Sequence, residues 1–111
     1  TVVLINGGSA SAAEILAGAL HDIRKIPLVG EKSFGKGSVQ QLESFYNGAS
    51  LKVTVAKWLT PNGVSISETG IAPTDEVKID PKEYKEKGWE IGTVGKDPQL
   101  DKAIAVVLQL R

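Results

Sequence analysis

Apolar and polar residues follow two different periods along this chain, and the point where one gives way to the other divides it. Val2 to Ile5 is an unbroken apolar run, mostly β-branched, which predicts a short strand buried on both faces. Asn6-Gly7-Gly8 ends it with residues that tolerate positive φ. From Ala12 to about Arg24 the spacing turns helical, with Ile15, Leu16, Ala19, Leu20 and Ile23 forming one apolar stripe. Pro27-Leu28-Val29 predicts a second short strand, ended by Gly30. Strand, helix and strand in so few residues make a βαβ unit, whose strands run parallel through a right-handed crossover.

Beyond the glycine-rich stretch from Gly30 to Gly37 the period becomes two. Val39 to Phe45 and Leu51 to Leu59 flank Tyr46-Asn47-Gly48, and Asn-Gly is a hairpin signal. Leu51, Val53 and Val55 alternate with Lys52 and Thr54, which predicts one buried face. Thr60-Pro61-Asn62-Gly63 reads as a turn, followed by a short strand at Val64-Ser65-Ile66. Residues 67–80 read as loop with a strand near Val77, and Pro81 to Gly88 as one or two helical turns. Asp97-Pro98 is a cap and first-turn pair for a last helix with the stripe Leu100, Ile104, Val107 and Leu108. The fold class is α/β: a βαβ unit, an antiparallel hairpin and a C-terminal helix.

Composition narrows the chemistry. The 111 residues suit one domain, and 41% hydrophobic content can fill one core. Thirteen basic side chains balance 13 acidic ones, so charge gives no reason to expect nucleic acid or an anionic membrane as partner. No apolar run approaches the roughly 18 residues that span a bilayer. Cysteine is absent and His21 is the single histidine, which argues against thiolate chemistry, a zinc cluster or a histidine-based triad. The chain opens at Thr1 directly on an apolar run and contains no methionine, so it reads as a piece of a longer protein.

Two unusual segments follow the two predicted strands, and ligands in parallel α/β sheets sit at such strand ends. They are Gly7-Gly8-Ser9-Ala10-Ser11-Ala12-Ala13-Glu14 and Gly30-Glu31-Lys32-Ser33-Phe34-Gly35-Lys36-Gly37. Ser11-Ala12-Ala13-Glu14 is a capping box, so taken alone Ser11 reads first as a helix cap, and the same geometry also admits a nucleophile at a helix start. In the second role the first-turn N–H groups, that of Ala12 above all, would stabilise an oxyanion. Lys36 reads as a solvated loop lysine, a phosphate clamp or a general base. Gly30 to Lys36 matches most of a nucleotide-binding P-loop, but Gly37 stands where a magnesium-holding Ser or Thr belongs, and strand rather than helix follows. Nucleotide binding is therefore set aside. A base must be neutral, which requires burial of Lys36 against neighbours such as Phe34 and Val39, with Gln40 orienting the amine.

Together these residues resemble a family. Gly8 to Ile15 is similar to the serine motif of carboxy-terminal processing (tail-specific) serine proteases, and Val29 to Gln40 to their lysine motif. The 25 positions between Ser11 and Lys36 match the spacing of the family's dyad, and Gln40 aligns with its lysine-assisting glutamine. Thr60-Pro61-Asn62-Gly63, Gly70-Ile71-Ala72-Pro73 and Asp97 to Asp101 extend the likeness along the chain. Ser9 and Lys32 fall off the motif positions.

The resemblance implies a ClpP/crotonase-like core, present here in part, and endopeptidase activity on the C-terminal tails of polypeptides, with no metal or organic cofactor. It also implies an upstream PDZ domain and an extracytoplasmic place, in the periplasm or on the outer face of the cytoplasmic membrane, with membrane association through segments outside this chain. The front half of the core would supply a second oxyanion donor, so the isolated piece is expected to be weakly active or inactive, and its edge strand to pair with another copy. The rival readings are a non-catalytic ligand-binding module on the same core, which would not need the lysine motif, and a structural fragment in which Ser11 only caps. His21 and the Lys82–Lys87 run read as solvated helix surface, and Trp58 and Trp89 as packing anchors.

Overall fold

A computed structural model describes residues 1–110. Strand β1 (Val3–Ile5), helix α1 (Ala12–Arg24) and strand β2 (Leu28–Gly30) form the expected βαβ unit, with β1 and β2 parallel and Val3, Leu4 and Ile5 opposite Leu28, Val29 and Gly30. After the ribbon strands β3 (Ser38–Ser44) and β4 (Ser50–Lys57), β5 (Asp75–Glu76) adds in parallel to the other side of β2. Helices α2 (Pro81–Glu86) and α3 (Pro98–Gln109) follow, and Asp97 caps α3 by accepting from Gln99 and Leu100 N–H.

β2 is the centre because it is apolar on both faces and has a helix on each. Leu28 faces the α1 side with Ile5 and Ala17, while Val29 faces the α3 side with Ala103 and Val106. Leu28 and Val29 are both 0% exposed, and one face each of a three-stranded sheet suffices to bury them. The result is a three-layer α/β arrangement with both loops of interest at one end of the sheet.

Several expectations are corrected by the packing. Leu4 is half exposed, so β1 is buried on one face only. α1 presents Glu14, Ala17 and Gly18 inward and leaves Leu16 and Ile23 in solvent. Gly18 explains the rotation: a Cβ there would stand 3.0 Å from Thr60 Cγ2 and 3.1 Å from Ile71 Cδ1, so small residues let the following loop lie against the helix. In α3 the buried pair is Ala103 and Val106, with Leu108 outside. The third strand is β5, just before Val77, and the Val64–Ile66 strand reduces to one bridge between Leu59 and Ser65.

The hairpin forms as its pattern predicts, with a register shift between Val39 and Gln40, but its apolar face is not buried. Every residue of β4 is exposed, and Leu51, Val53 and Val55 point into solvent. At its base Trp58 N–H closes the ribbon on Gly37 O at 2.6 Å, and Trp58 O accepts from the N–H of buried Ile66 at 3.3 Å.

Candidate active site

Ser11 is the N-cap of α1 and holds φ 54°, ψ −118°. A serine has no easy access to that region, and such a conformation costs on the order of 1–3 kcal/mol. Ser11 and Glu14 form a capping box, in which Ser11 N–H donates to Glu14 Oε2 at 3.0 Å. Ser11 therefore caps the helix on a strained backbone. Around it, Ala13 N–H donates to Ala10 O and Glu14 N–H to Ser11 O, whereas Ala12 N–H has no partner among the described residues.

Glu14 organises the rest. Its side chain is 0% exposed, and its two oxygens collect four donors. Oε1 accepts from the Ser33 hydroxyl at 2.6 Å and from Gly35 N–H at 2.7 Å. Oε2 accepts from Ser11 N–H at 3.0 Å and from Lys36 N–H at 2.9 Å. Because one oxygen takes both of the last two, the backbone nitrogens of Ser11 and Lys36 lie no further apart than those two bonds laid end to end, about 6 Å. Residues 25 positions apart in sequence are thus fixed side by side. Burial by itself would raise the Glu14 pKa and is the largest single influence, but the bonds from Ser33, Gly35, Lys36 and Ser11 together outweigh it. The carboxyl is held below its ordinary value and stays charged.

The Lys36 loop is secured on its other side as well. Phe34 N–H donates to Ser9 O at 2.9 Å. Ser33 N–H donates to Ile71 O at 3.0 Å, and Ile71 N–H returns to Ser33 Oγ at 2.7 Å, so Ser33 relays the 66–71 segment to Glu14. That contact needs glycine at 70, where φ is 64° and a Cβ would stand 2.3 Å from Ser33 O.

Lys36, Gln40 and Ser38 line an open groove with Gly7, Gly8, Ala10 and Phe34. Ser11 sits beside this groove rather than in its lining, at the turn that Glu14 ties to the Lys36 loop. The expected wrapping of Lys36 by Phe34 and Val39 is corrected: Lys36 is exposed, and Phe34 is 65% exposed. This chain holds the lysine backbone firmly and leaves its amine uncovered. Ser9 bonds back into its own turn through Oγ to Asn6 N–H, and Lys32 lies in solvent. The residue that sequence reasoning misses is Glu14, whose role is absorbed by the capping-box pattern. Ser33 is missed with it, since one serine between two charged or aromatic neighbours carries no local signal.

The sequence profile of peptidase family S41 matches residues 1–77. With this fold, the Glu14-tied junction and that match, the chain belongs to peptidase family S41. It is 51% identical over 84 residues to the carboxy-terminal processing protease CtpA of Bacillus subtilis, covering 76% of this chain and 18% of that protein. It is 55% identical over 77 residues to a carboxyl-terminal-processing protease of Synechocystis, covering 69% of this chain and 18% of the relative. Among solved structures, a photosystem II D1 C-terminal processing protease superposes with a TM-score of 0.65 at 44% identity, covering 69% of this chain and 20% of that one. The tricorn protease, at 20% identity, shares the fold over 98% of this chain with a TM-score of 0.72. The α/β architecture is therefore a partial protease core, and the chain spans about a fifth of the length of the relatives it matches.

Proposed function

We propose that this chain carries the nucleophile and base of a serine endopeptidase that cleaves polypeptides near their C-termini, with Ser11 and Lys36 as its dyad. The observation that supports this most is the single carboxylate oxygen of Glu14 shared by Ser11 N–H and Lys36 N–H. In the proposed cycle Ser11 Oγ attacks the scissile carbonyl carbon while the neutral Lys36 amine takes its proton. Ala12 N–H, free of intramolecular partners among the described residues, stabilises the oxyanion. The Lys36 ammonium then protonates the departing amine, leaving an acyl group on Ser11. Water, deprotonated by Lys36, attacks the acyl carbon, and the proton returns to Ser11 as the new carboxyl group leaves. Gln40, near the start of β3 and in the same groove as Lys36, orients the amine.

An ammonium cannot begin this cycle, so water must be excluded from Lys36 by the bound peptide and by parts of the longer protein outside residues 1–111. Those parts also supply the second oxyanion donor and the upstream PDZ domain. One missing oxyanion donor lowers rate about 10²–10³-fold, so this piece alone is weakly active or inactive. The relatives named as processing proteases also favour polypeptide tails as substrates.

The test is hydrolysis of an unstructured peptide with an apolar C-terminus by the full-length protein. Ser11→Ala and Lys36→Ala should each lower kcat/KM by at least about 10³-fold, with both variants still folded by circular dichroism. Retention of wild-type rates by either folded variant would sink the dyad and return the chain to a binding module.

A further inference from the structure

We infer that Ser38 is a positioning residue for Lys36, its hydroxyl oxygen holding one N–H of the neutral amine so that the nitrogen lone pair faces Ser11; this rests on the peptidase reading above. The backbone around the lysine is already fixed. Lys36 N–H is bound to Glu14, Glu68 N–H donates to Gly35 O at 2.9 Å, and Trp58 N–H donates to Gly37 O at 2.6 Å. The amine, by contrast, stands at the end of a flexible four-carbon stem on an exposed residue. Whatever aims it must come from the side chains beside it.

Packing on the far side of the chain decides which side chains those are. A Cβ at Gly37 would stand 2.5 Å from Ser67 N and 2.8 Å from Ile66 Cβ, and one at Gly35 would stand 2.9 Å from Gly70 N. Positions 35 and 37 are thus pressed bare against the 66–70 segment. The side chains of 36, 38 and 40 take the opposite face, and all three line the groove. Neighbours on one face of a strand are about 6.6 Å apart, within reach of a lysine stem. Of the side chains lining that groove, only those of Ser38 and Gln40 carry oxygen. Along β3 the bonded side chains are Gln41 and Glu43, whereas the hydroxyl of half-buried Ser38 has no partner among the described residues. The register shift between Val39 and Gln40 falls between the two oxygens, and a bulge of that kind re-aims the side chains next to it.

A neutral amine carries two N–H groups and one lone pair. With one acceptor in place, that of Gln40, a third of a turn about Cε–Nζ keeps an N–H on Gln40 while exchanging the lone pair with the other N–H. In one arrangement the lone pair faces Ser11 Oγ and can take its proton; in the other an N–H faces it and cannot. A second acceptor removes the idle arrangement. Ser38 Oγ, with two lone pairs, is that acceptor. Once protonated, the ammonium has three donors, which Gln40, Ser38 and the departing amine take one each.

The experiment uses the full-length protein and the same unstructured peptide with an apolar C-terminus, with folding of each variant checked by circular dichroism. Ser38→Ala should lower kcat by about 10–100-fold and leave KM within about twofold, because the lost bond acts on the base and not on the bound peptide. Ser38→Thr and Ser38→Val share one shape, both suit a strand, and they differ in the hydroxyl. Ser38→Thr should therefore keep kcat at least about tenfold above Ser38→Val, a split that a packing role does not produce. In a Gln40→Ala protein, where the aim is already lost, adding Ser38→Ala should lower kcat by less than about threefold more. Wild-type kcat in Ser38→Ala, equal kcat in the folded Thr and Val variants, a raised KM at constant kcat, or full additivity with Gln40→Ala would each overturn the assignment while the Lys36→Ala control still abolishes cleavage. Undiminished cleavage by folded Lys36→Ala would instead overturn the peptidase reading itself.

Discussion

The junction at Glu14 and the β3–β4 ribbon are built from the same chain under opposite rules. At the junction a charged group is wholly buried and every one of its lone-pair directions is used, so two segments remote in sequence are fixed relative to one another. The ribbon has a regular antiparallel ladder and a well-formed turn, yet it buries almost none of its side chains, and Tyr46 at its tip stands wholly in solvent. Hydrogen bonding between two strands fixes local shape; burial against a third element fixes position. The junction is a finished part of the molecule, and the ribbon is a surface awaiting a neighbour.

The largest effect should come from breaking the junction. Glu14→Ala removes the only acceptors for Ser11, Gly35 and Lys36 N–H and the Ser33 hydroxyl, in a place water reaches poorly. Each orphaned donor costs about 1–3 kcal/mol, so a loss of at least about 3 kcal/mol is expected in chemical denaturation of the protein. Peptidase activity should disappear with it, because the remaining tie between the two loops, Phe34 N–H to Ser9 O, engages neither Ser11 nor Lys36. Glu14→Gln is the sharper probe. An amide has one acceptor oxygen, and turning it toward Ser11 and Lys36 keeps both satisfied. The amide NH₂ then meets Ser33, whose hydroxyl can turn to accept, and Gly35 N–H, which loses its partner. Glu14→Gln should therefore lose about 1–3 kcal/mol, near the figure for one orphan, and retain measurable activity. Equal loss in the two variants would show that charge, not shape, holds the junction.

The same contrast has a pH form. Glu14 is held below its ordinary value of 4.5, so its contribution is complete above that value and is lost as pH falls through the lowered one. The stability gap between wild type and Glu14→Gln should stay constant from pH 7 to about 5 and narrow below about 4.5. Thermal unfolding of both proteins across that range measures it, and a gap that widens in acid would contradict the assigned direction.

Much of this architecture is legible in the amino-acid sequence, and the divide falls between local and tertiary signals. The βαβ unit, the Asn47-Gly48 hairpin and the Asp97 cap are each written within a few adjacent residues, and each stands where its pattern puts it. The burial faces are not legible in the same way. Spacing alone picks out the apolar stripe of α1, but Thr60 and Ile71 lie against the helix's small residues instead, and no periodicity reports that. Glu14 shows the same limit at the site: its partners at 33, 35 and 36 lie 19 to 22 positions away, so within its own helix it looks only like the second half of a cap. The open state of Lys36 is hidden for a related reason, since nothing in the local pattern reports that Phe34 turns away into solvent rather than over the lysine.

A smaller effect is expected where the two regions meet. Asp22 on α1 accepts through Oδ2 from Asn62 N–H at 2.9 Å, and the nearby Thr60 hydroxyl together with this bond lowers its pKa from the ordinary value. They fasten the turn below the ribbon to the helix that carries Ser11. Asp22→Ala should cost about 1 kcal/mol in denaturation, the worth of one or two partly exposed hydrogen bonds, and should raise amide exchange at Asn62 without altering exchange at Gly35. Faster exchange at both would mean that ribbon base and junction open as one unit rather than two.

The smallest effect, and the one that defines the ribbon, belongs to its exposed apolar face. Val53→Asp places a charge where the side chain already stands 38% exposed with no packing against the core, so it should change the stability of this 111-residue chain by no more than about 0.5 kcal/mol. If the face is covered in the longer protein, the same substitution there buries an unpaired charge and should lose several-fold more. Denaturation of Val53→Asp in both contexts measures the difference directly. A large loss in the short chain would mean that the ribbon is already packed, and equal small losses in both would mean that β4 remains a free surface in the whole protein.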